Sequence, residues 1–311
     1  MTYIEFVNKL LRKEAERHDN LAVFGQNVAA GSYIGGFTKG IKVNSTGRII
    51  NSTNSENSLC GLGFGVMLRG ANAVFFMKQL DFLLLGIDQL VDTYNEIRNM
   101  PREPRGSFTI MPLIVDNGYQ GPQSSLNNFA DFCSIARIEG YAVTNKIDAE
   151  NIISAKMVSP GFRIIGVSQR LFKDEIIFPE KLSYKNENLT LFQYEDGKDA
   201  TIVSFNFSFP QAWAIRGVMK ERGINPSVFN VNSMTPIDWD KIVENVKKTG
   251  KLIVLDDSKS ANLPLYSLLA EAEAKAKPKK VIVLKRELDD DWFTPNKDYL
   301  EVDPIKVIDQ L

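Results

Sequence analysis

The chain has 311 residues, of which 44% are hydrophobic and 24% are charged, as is usual for globular proteins. Its 37 lysines and arginines almost balance its 38 aspartates and glutamates, so no basic surface for nucleic acid is expected. The apolar runs are shorter than a membrane span, and the first residues form a charged amphipathic pattern rather than a secretion signal. We therefore expect a cytoplasmic protein that binds neither nucleic acid nor membrane.

Histidine and cysteine are too scarce for several kinds of active site. The single histidine, His18, lies in a polar stretch, which excludes histidine-based catalytic triads and multi-histidine metal sites. Cys60 and Cys133 have apolar neighbours and are predicted to be buried free thiols rather than a disulfide. Any chemistry must then come from carboxylates, amides, hydroxyls or a cofactor, and no metal site is predicted on this chain.

The first half of the chain alternates amphipathic helices with short apolar strands. Helical spacing of apolar residues, with Leu84 on the apolar face of the third helix, predicts helices over 2–18, 54–70, 83–98, 126–138 and 149–158. Apolar runs predict strands over 21–24, 48–50, 73–77, 108–115 and 163–167. The glycine-rich stretch 25–45 is predicted to be a long loop, of the kind that often binds a ligand.

The second half of the chain shows the same alternation of predicted helices and strands. Helices are predicted over 210–222, 239–248 and 263–275, and strands over 200–205, 227–231, 252–255 and 281–284. The polar stretch before them indicates a connection between domains. We therefore predict an α/β protein with two domains, each a mostly parallel sheet covered by helices, over 1–180 and 199–311, with a linker over 181–198.

The helix over 54–70 places one acidic residue, Glu56, at the start of an apolar, glycine-rich segment. A carboxylate entering such a segment is costly unless a specific group meets it, so Glu56 is a candidate for binding a cofactor ring. The alternative is a carboxylate that stabilises the positive end of the helix, next to Ser55 as the cap. Gly61 and Gly65 lie on one helix face and would let a second helix approach closely.

A polar loop follows the strand over 108–115. It contains Gln123 and Ser124 and lies at the carboxyl end of a parallel strand, where α/β sheets bind ligands. Its polar groups either face a substrate or belong to an ordinary surface loop.

The order of these pieces resembles the β subunits of the thiamine-diphosphate-dependent decarboxylase component of 2-oxo acid dehydrogenases. More broadly, it resembles the pyrimidine-binding and C-terminal domains of the transketolase superfamily. The resemblance rests on 1–3, 23–29, Ser55-Glu56 with the helix to Gly70, Phe82, Asp88-Gln89, 236–238, 293–296 and Tyr299-Leu300. It implies a pyrimidine-binding domain over 1–180 and a transketolase C-terminal-like domain over 199–311.

This resemblance also implies roles for individual residues. The glutamate matching Glu56 hydrogen-bonds the aminopyrimidine of thiamine diphosphate and activates the cofactor, and the residue matching Phe82 packs against that ring. Gln123 and Ser124 would face the substrate. The diphosphate and its Mg²⁺ are held in relatives by a domain with a Gly-Asp-Gly signature, which does not occur here. A separate α subunit is therefore expected in an α2β2 assembly, with β chains associating through their glycine-bearing helices.

The sequence departs from this family in three places. A histidine that assists acyl transfer to lipoyl groups is replaced near Gln123, and glutamine cannot act as an acid or base. An acidic residue common after the first strand is replaced by the amides Gln26 and Asn27. Residues 256–260 lack the usual glycines, which suggests different partner contacts.

These observations lead to three functional hypotheses. The first is a β-type subunit of a two-chain thiamine-diphosphate enzyme that decarboxylates a 2-oxo acid or transfers a two-carbon or acyl unit from a 2-oxo acid or ketose. The second, suggested by the missing histidine, is a non-catalytic or regulatory scaffold subunit that retains the fold. The third is an unrelated α/β protein that binds a small molecule as a monomer.

Overall fold

The computed structural model describes residues 1–101, 105–116, 127–287 and 300–311. These residues form two α/β units. One is built on a seven-stranded sheet and the other on a six-stranded sheet. Most strand pairs in both sheets are parallel, and helices pack against the strands, as the alternating pattern predicts. No helix in these ranges is both long and apolar enough to cross a membrane.

The elements of the first half build most of the seven-stranded sheet. In order they are α1 (Tyr3–Arg17), β1 (Leu21–Gly25), β2 (Arg48–Asn51), α2 (Glu56–Leu68), β3 (Asn72–Met77), α3 (Tyr94–Arg98), β4 (Ser107–Ile114), α4 (Phe129–Ile135), β5 (Glu139–Val143), α5 (Lys146–Lys156) and β6 (Gly161–Ser168). The strands lie in the order β5-β6-β4-β3-β1-β2 and are mutually parallel. All eight residues of β4 are buried, which explains its nearly continuous apolar sequence.

The elements of the second half build the six-stranded sheet. In order they are β7 (Tyr184–Lys185), β8 (Leu191–Glu195), β9 (Ala200–Phe205), α6 (Phe209–Glu221), β10 (Pro226–Val231), β11 (Ser233–Thr235), α7 (Asp240–Thr249), β12 (Lys251–Asp256), α8 (Pro264–Lys275), β13 (Lys280–Lys285) and α9 (Pro304–Asp309). The strand order is β13-β12-β9-β10-β8-β7. Strands β7 and β8 fall within the stretch 181–198, so this polar stretch contributes the antiparallel edge of the second sheet.

Strand β11 connects the two halves of the chain. It follows β10 after one residue, Asn232, but pairs antiparallel with β5 and so becomes the edge of the first sheet. The Asn232 side chain donates hydrogen bonds to the Ala142 carbonyl oxygen at 3.3 Å and to Asp148 Oδ2 at 3.0 Å. The first sheet is therefore completed by a strand from the second half, which the sequence pattern did not predict.

Two helices of the first half, α1 and α5, begin with reciprocal caps. In α1, Thr2 Oγ1 accepts from the Glu5 backbone nitrogen, and the Glu5 carboxylate accepts from the Thr2 nitrogen at 2.9 Å. In α5, Asn145 and Asp148 form the same kind of capping box. Each pair satisfies helix-end donors that have no partner within the helix, which fixes where these helices begin.

The segment predicted as a helix over 83–98 is helical along its whole length, but it is not one regular α-helix. The segment is instead a 3₁₀ helix over Leu80–Gly86, a π-helical turn over Gln89–Thr93 and then α3. Gly86, the last residue of the 3₁₀ helix, approaches α2 closely: a Cβ atom at Gly86 would lie 2.8 Å from Cys60 Sγ. The predicted apolar face is also incorrect at Leu84, which is 52% exposed.

The glycines of α2 differ in what surrounds them. A Cβ atom at Gly63 would lie 2.2 Å from the Phe108 ring, so Gly63 is the glycine required by packing against β4. A Cβ at Gly61 would lie 3.3 Å from Gln89 Oε1, and one at Gly65 would meet nothing within 4 Å. Among the described residues, no helix packs on Gly65, so this position is open on the surface of α2.

Candidate active site

A pocket lies where three neighbouring parallel strands of the first sheet end. Strands β2, β1 and β3 are adjacent, and the segments that follow them carry Glu56, Gln26 and Lys78 respectively. The carboxyl edge of a parallel sheet is where α/β proteins bind ligands. The pocket is lined by Gln26, Thr53, Asn54, Glu56, Leu59, Phe75, Phe76, Met77, Lys78 and Phe82.

Glu56 is the first residue of α2 and is only 9% exposed. Within the described part of the chain, its carboxylate forms no hydrogen bond or ion pair. Its neighbour Ser55 does not cap the helix, because the Ser55 hydroxyl donates to Ser58 Oγ at 2.9 Å instead. The residue is thus mostly buried while its carboxylate lacks a hydrogen-bond donor, and a ligand in the pocket would supply one.

Packing behind the helix start holds Glu56 in this position. A Cβ at Gly86 would lie 3.3 Å from the Glu56 carbonyl oxygen, so the 3₁₀ helix presses directly on the first turn of α2. Gln89 supports the same turn, since its Nε2 donates to Asn57 Oδ1 at 3.3 Å while its Oε1 accepts from Thr93 Oγ1 at 2.7 Å. These contacts fix the first turn of α2, on which Glu56 lies.

The structure brings Phe82 and Glu56 into the same pocket, as the resemblance implies for these two positions. Phe82 is partly buried and comes from the 3₁₀ helix. Phe75, on β3, is also among the residues that line the pocket, and its ring stacks on Phe24 with ring centres 5.3 Å apart. Aromatic walls beside a carboxylate suit a flat, polar ring.

Cys60 lies one helical turn after Glu56 but is not a nucleophile. Burial, and to a lesser extent the nearby Glu56 carboxylate, raises the pKa of the Cys60 thiol to about 12. The thiol therefore stays neutral at physiological pH, and only thiolates are reactive. Both cysteines are free and buried, which confirms the prediction for them.

The sequence identified Glu56 and Phe82 but missed Phe75 and Lys78. Phe75 belongs to an apolar run in which the sequence does not show which side chain faces a ligand. Lys78 could have been found from its position, because it is the first residue after a buried strand and such residues lie at the ligand-binding edge of a parallel sheet. Gln123, Ser124, the motif 293–296 and Tyr299 lie outside the described residues.

The residues on either side of the stretch 117–126 belong to a buried polar network. Asp116 Oδ2 accepts from Ser168 Oγ at 2.5 Å, and Asp116 Oδ1 accepts from the Arg170 backbone nitrogen at 2.8 Å. Burial raises the pKa of Asp116 to about 6, although the Arg170 guanidinium opposes the rise. On the other side, Asn127 Nδ2 donates to the Asp257 carbonyl oxygen at 2.9 Å.

Asp257 joins the two halves of the chain. Its carboxylate accepts from Asn206 Nδ2 and from the Phe207 backbone nitrogen, both at 2.9 Å, and from Arg170 Nη2 at 2.6 Å. The side chain is fully buried. The segment without glycines, 256–260, therefore contributes this internal junction.

No group of three or more histidine, cysteine, aspartate or glutamate side chains arranged to hold a metal ion occurs in the described ranges. The pocket of Glu56 contains a single carboxylate among its lining residues. Such a donor set does not fit a magnesium ion, which prefers several oxygen ligands.

Comparison with known proteins gives matches over most of the chain. Residues 192–284 match the family described as the transketolase C-terminal domain. The pyruvate dehydrogenase E1 component subunit beta of Acholeplasma laidlawii is 21% identical over 285 residues, which cover 89% of this chain and 85% of that protein. The 2-oxoisovalerate dehydrogenase subunit beta of Bacillus subtilis (strain 168) is 21% identical over 275 residues, covering 85% and 81% respectively.

A solved structure supports the fold. A chain described as a split gene transketolase, in an inactive β4 tetramer, matches with a TM-score of 0.66 and 15% identity, over 92% of this chain and 89% of that one. The two-sheet architecture is thus of the split-transketolase type. The chain contains a transketolase C-terminal domain and is a distant homologue, over most of its length, of pyruvate and 2-oxoisovalerate dehydrogenase β subunits, which confirms the resemblance seen in the sequence.

Proposed function

We propose that this chain is the β-type subunit of a two-chain thiamine-diphosphate enzyme that acts on a 2-oxo acid or a ketose. The observation that carries the proposal is Glu56, a residue only 9% exposed whose carboxylate has no partner in the described residues, in a pocket that also contains Phe82. Distant homology to β subunits of 2-oxo acid dehydrogenases, whose family uses thiamine diphosphate, supports the same conclusion.

The residues of the pocket fit the aminopyrimidine end of this cofactor. Glu56 would hold a proton at a ring nitrogen, and Phe82 and Phe75 would exclude water from the ring faces. When bound, the cofactor supplies the carbon nucleophile that cleaves or forms a bond next to a carbonyl. Gln123 and Ser124 are proposed to face the substrate.

The chain would supply half of the cofactor site. We propose that the diphosphate and Mg²⁺ are held mainly by a separate α subunit, in an α2β2 assembly that resides in the cytoplasm. The solved split transketolase chain forms an inactive β4 tetramer. By analogy, this chain alone would self-associate and remain inactive until the α subunit joins it, with 1–180 as the pyrimidine-binding domain and 199–311 as the transketolase C-terminal-like domain, joined by 181–198.

The test is turnover of the reconstituted complex with a candidate α chain, 2-oxo acids or ketoses, thiamine diphosphate and Mg²⁺. Glu56→Gln replaces the carboxyl group, which can give or take a proton, by an amide of similar size that cannot, and we expect it to lower turnover by about 100-fold or more. Glu16→Gln, on an exposed position of α1, is the matched control and should leave turnover unchanged. Equal turnover of wild type and Glu56→Gln would refute the mechanistic role.

A non-catalytic scaffold is the second candidate function. It is favoured by Gln123, which stands near the place of the family histidine and cannot transfer protons. A scaffold predicts no thermal stabilisation of the α–β complex by thiamine diphosphate and Mg²⁺. Stabilisation that is lost in Glu56→Gln would instead favour the enzyme, because ligand binding to the folded state raises its unfolding temperature.

A further inference from the structure

Lys78 is a second charged residue among those that line the pocket of Glu56. It is the first residue after β3, whose last five residues are buried, and β3 lies between β1 and β4 in the sheet. The backbone at Lys78 is therefore held by the core, while its side chain is exposed. Within the described ranges, the Lys78 ammonium has neither a hydrogen bond nor an ion pair.

The two charged residues that line the pocket, Glu56 and Lys78, are not paired with each other. Glu56 is largely buried and Lys78 is exposed, yet the two opposite charges do not form a salt bridge. The remaining polar lining residues are neutral, namely the amides of Gln26 and Asn54 and the hydroxyl of Thr53. Each charged group is therefore free to meet a different part of a bound molecule.

The chemistry of a lysine ammonium defines what Lys78 can bind. It donates up to three hydrogen bonds and accepts none, so its preferred partner is an oxyanion such as a carboxylate or a phosphate. A molecule that fills the pocket would also remove water from the ammonium, and a desolvated ammonium without an anion is costly. The amides of Gln26 and Asn54 can donate to the same oxygens.

We propose that Lys78 binds the anionic oxygen group of the substrate, the carboxylate of a 2-oxo acid or the phosphate of a sugar phosphate, and thereby sets a preference for anionic substrates. This inference rests on the proposed function, because it assigns the substrate class of the same pocket. Lys78 acts as a specificity residue: it positions the substrate, while Glu56 serves the cofactor.

A footprinting experiment tests this proposal without turnover. The α–β complex is treated with acetic anhydride, and acetylation of each lysine is followed by mass spectrometry. The added probes are pyruvate against pyruvamide, and fructose 6-phosphate against fructose. We expect one anionic probe to slow acetylation of Lys78 severalfold while its neutral counterpart does not, and the protecting anion identifies the substrate group.

Lys42 is the internal control in the same samples, since it is exposed, lies outside the pocket and has no described partner. Equal protection of Lys78 and Lys42, protection by the neutral probes, or no protection by either anion would overturn the proposal. Protection by thiamine diphosphate, without protection by either substrate anion, would also overturn it, because Lys78 would then bind the cofactor.

Kinetics of the reconstituted enzyme provide a second readout. Losing a charge-assisted hydrogen bond predicts that Lys78→Met lowers kcat/KM for the anionic substrate by about tenfold or more, mainly through KM. Lys78→Arg should retain most of the wild-type kcat/KM for the anionic substrate, and Lys42→Met should match the wild type. For a neutral acceptor, Lys78→Met should leave kcat/KM unchanged. Equal losses for charged and neutral substrates would contradict the role. If Glu56→Gln fails to affect turnover, the footprint at Lys78 still gives an independent answer.

Discussion

Arg170 Nη2 donates to Asp257 Oδ2 at 2.6 Å and thereby joins the carboxyl ends of the two sheets. Arg170 follows β6 of the first sheet, and Asp257 directly follows β12 of the second. The arginine side chain is 9% exposed and the aspartate is fully buried. The same guanidinium approaches Asp116 Oδ2 at 3.7 Å, so one cation serves two buried carboxylates.

Removing this cation should destabilise the chain strongly. Arg170→Met keeps the apolar stem but leaves Asp116 and Asp257 buried without their cation. Breaking one side of a buried pair costs about 3–5 kcal/mol, so we expect a loss of that order in the free energy of unfolding. Urea unfolding followed by circular dichroism measures this difference.

An exposed ion pair supplies the control for that measurement. Arg222 Nη1 lies 2.7 Å from Asp309 Oδ1, but both side chains are well exposed, at 40% and 61%. Arg222→Met should therefore change the free energy of unfolding by less than about 1 kcal/mol. Similar losses in the free energy of unfolding for Arg170→Met and Arg222→Met would show that burial does not increase the contribution of the Arg170 ion pairs to stability.

Stability should fall as pH rises from mildly acidic to neutral values. Burial, with the nearby Asp257 charge adding to it, raises the pKa of Asp256 from 3.8 to about 7. Between these two values the folded chain binds a proton that the unfolded chain has lost. The free energy of unfolding therefore decreases with pH across that window and levels off above it.

Asp256→Asn should weaken this pH dependence, because the amide does not titrate. It can still accept the hydrogen bond that the Ser258 nitrogen donates to Asp256 Oδ1 at 2.9 Å. Urea unfolding at pH 5 and pH 8 gives the comparison. Asp116 and Asp148, whose pKa values burial raises to about 6 and about 7, supply the decrease that persists in the variant. An unchanged slope in Asp256→Asn would be inconsistent with a titrating buried carboxyl at this position.

The α2 glycines predict opposite effects for the same substitution. Gly63→Ala forces a methyl group against the Phe108 ring, and overpacking of this kind costs about 1–3 kcal/mol. Gly65→Ala meets no atom within 4 Å and should stabilise the isolated chain by about 0.5–1 kcal/mol through helix propensity. Thermal unfolding of the two variants compares them directly; equal shifts would contradict the packing described for α2.

Self-association should depend on the open side of α2. Leu62 and Leu68 are 47% and 44% exposed on this helix, beside the position where Gly65 leaves space. If β chains pair there, Gly65→Leu blocks the close approach while the helix remains intact. Sedimentation velocity should then show a shift towards monomer, whereas unchanged association would place the interface elsewhere.

Much of the fold could be predicted because the buried positions of many elements follow from the pattern of apolar residues within a few neighbouring positions. The eight buried residues of β4 form an apolar run, and α1 carries its cap and its apolar face within a few turns. Strand β11 has no such signal, since its three residues pair only because β5 lies beside them. The close contact of Gly86 with α2 likewise joins residues far apart in the sequence, which helical periodicity cannot reveal.

The candidate site shows the same division. Glu56 was identifiable because an acid at the start of an apolar helix is locally costly. Lys78 and Phe75 were not, because their place in the pocket depends on how three strands end side by side. Arg170 was missed for a similar reason: its partner Asp257 lies in the other half of the chain.

In the proposed function, the Glu56 carboxylate activates a cofactor ring. The most direct test of this role is the rate of hydrogen–deuterium exchange at the reactive thiazolium carbon of thiamine diphosphate bound to the α–β complex, which needs no knowledge of the substrate. We predict fast exchange for the wild type and exchange slower by about 100-fold or more for Glu56→Gln. Equal exchange rates in the two complexes, at equal cofactor occupancy, would contradict the account.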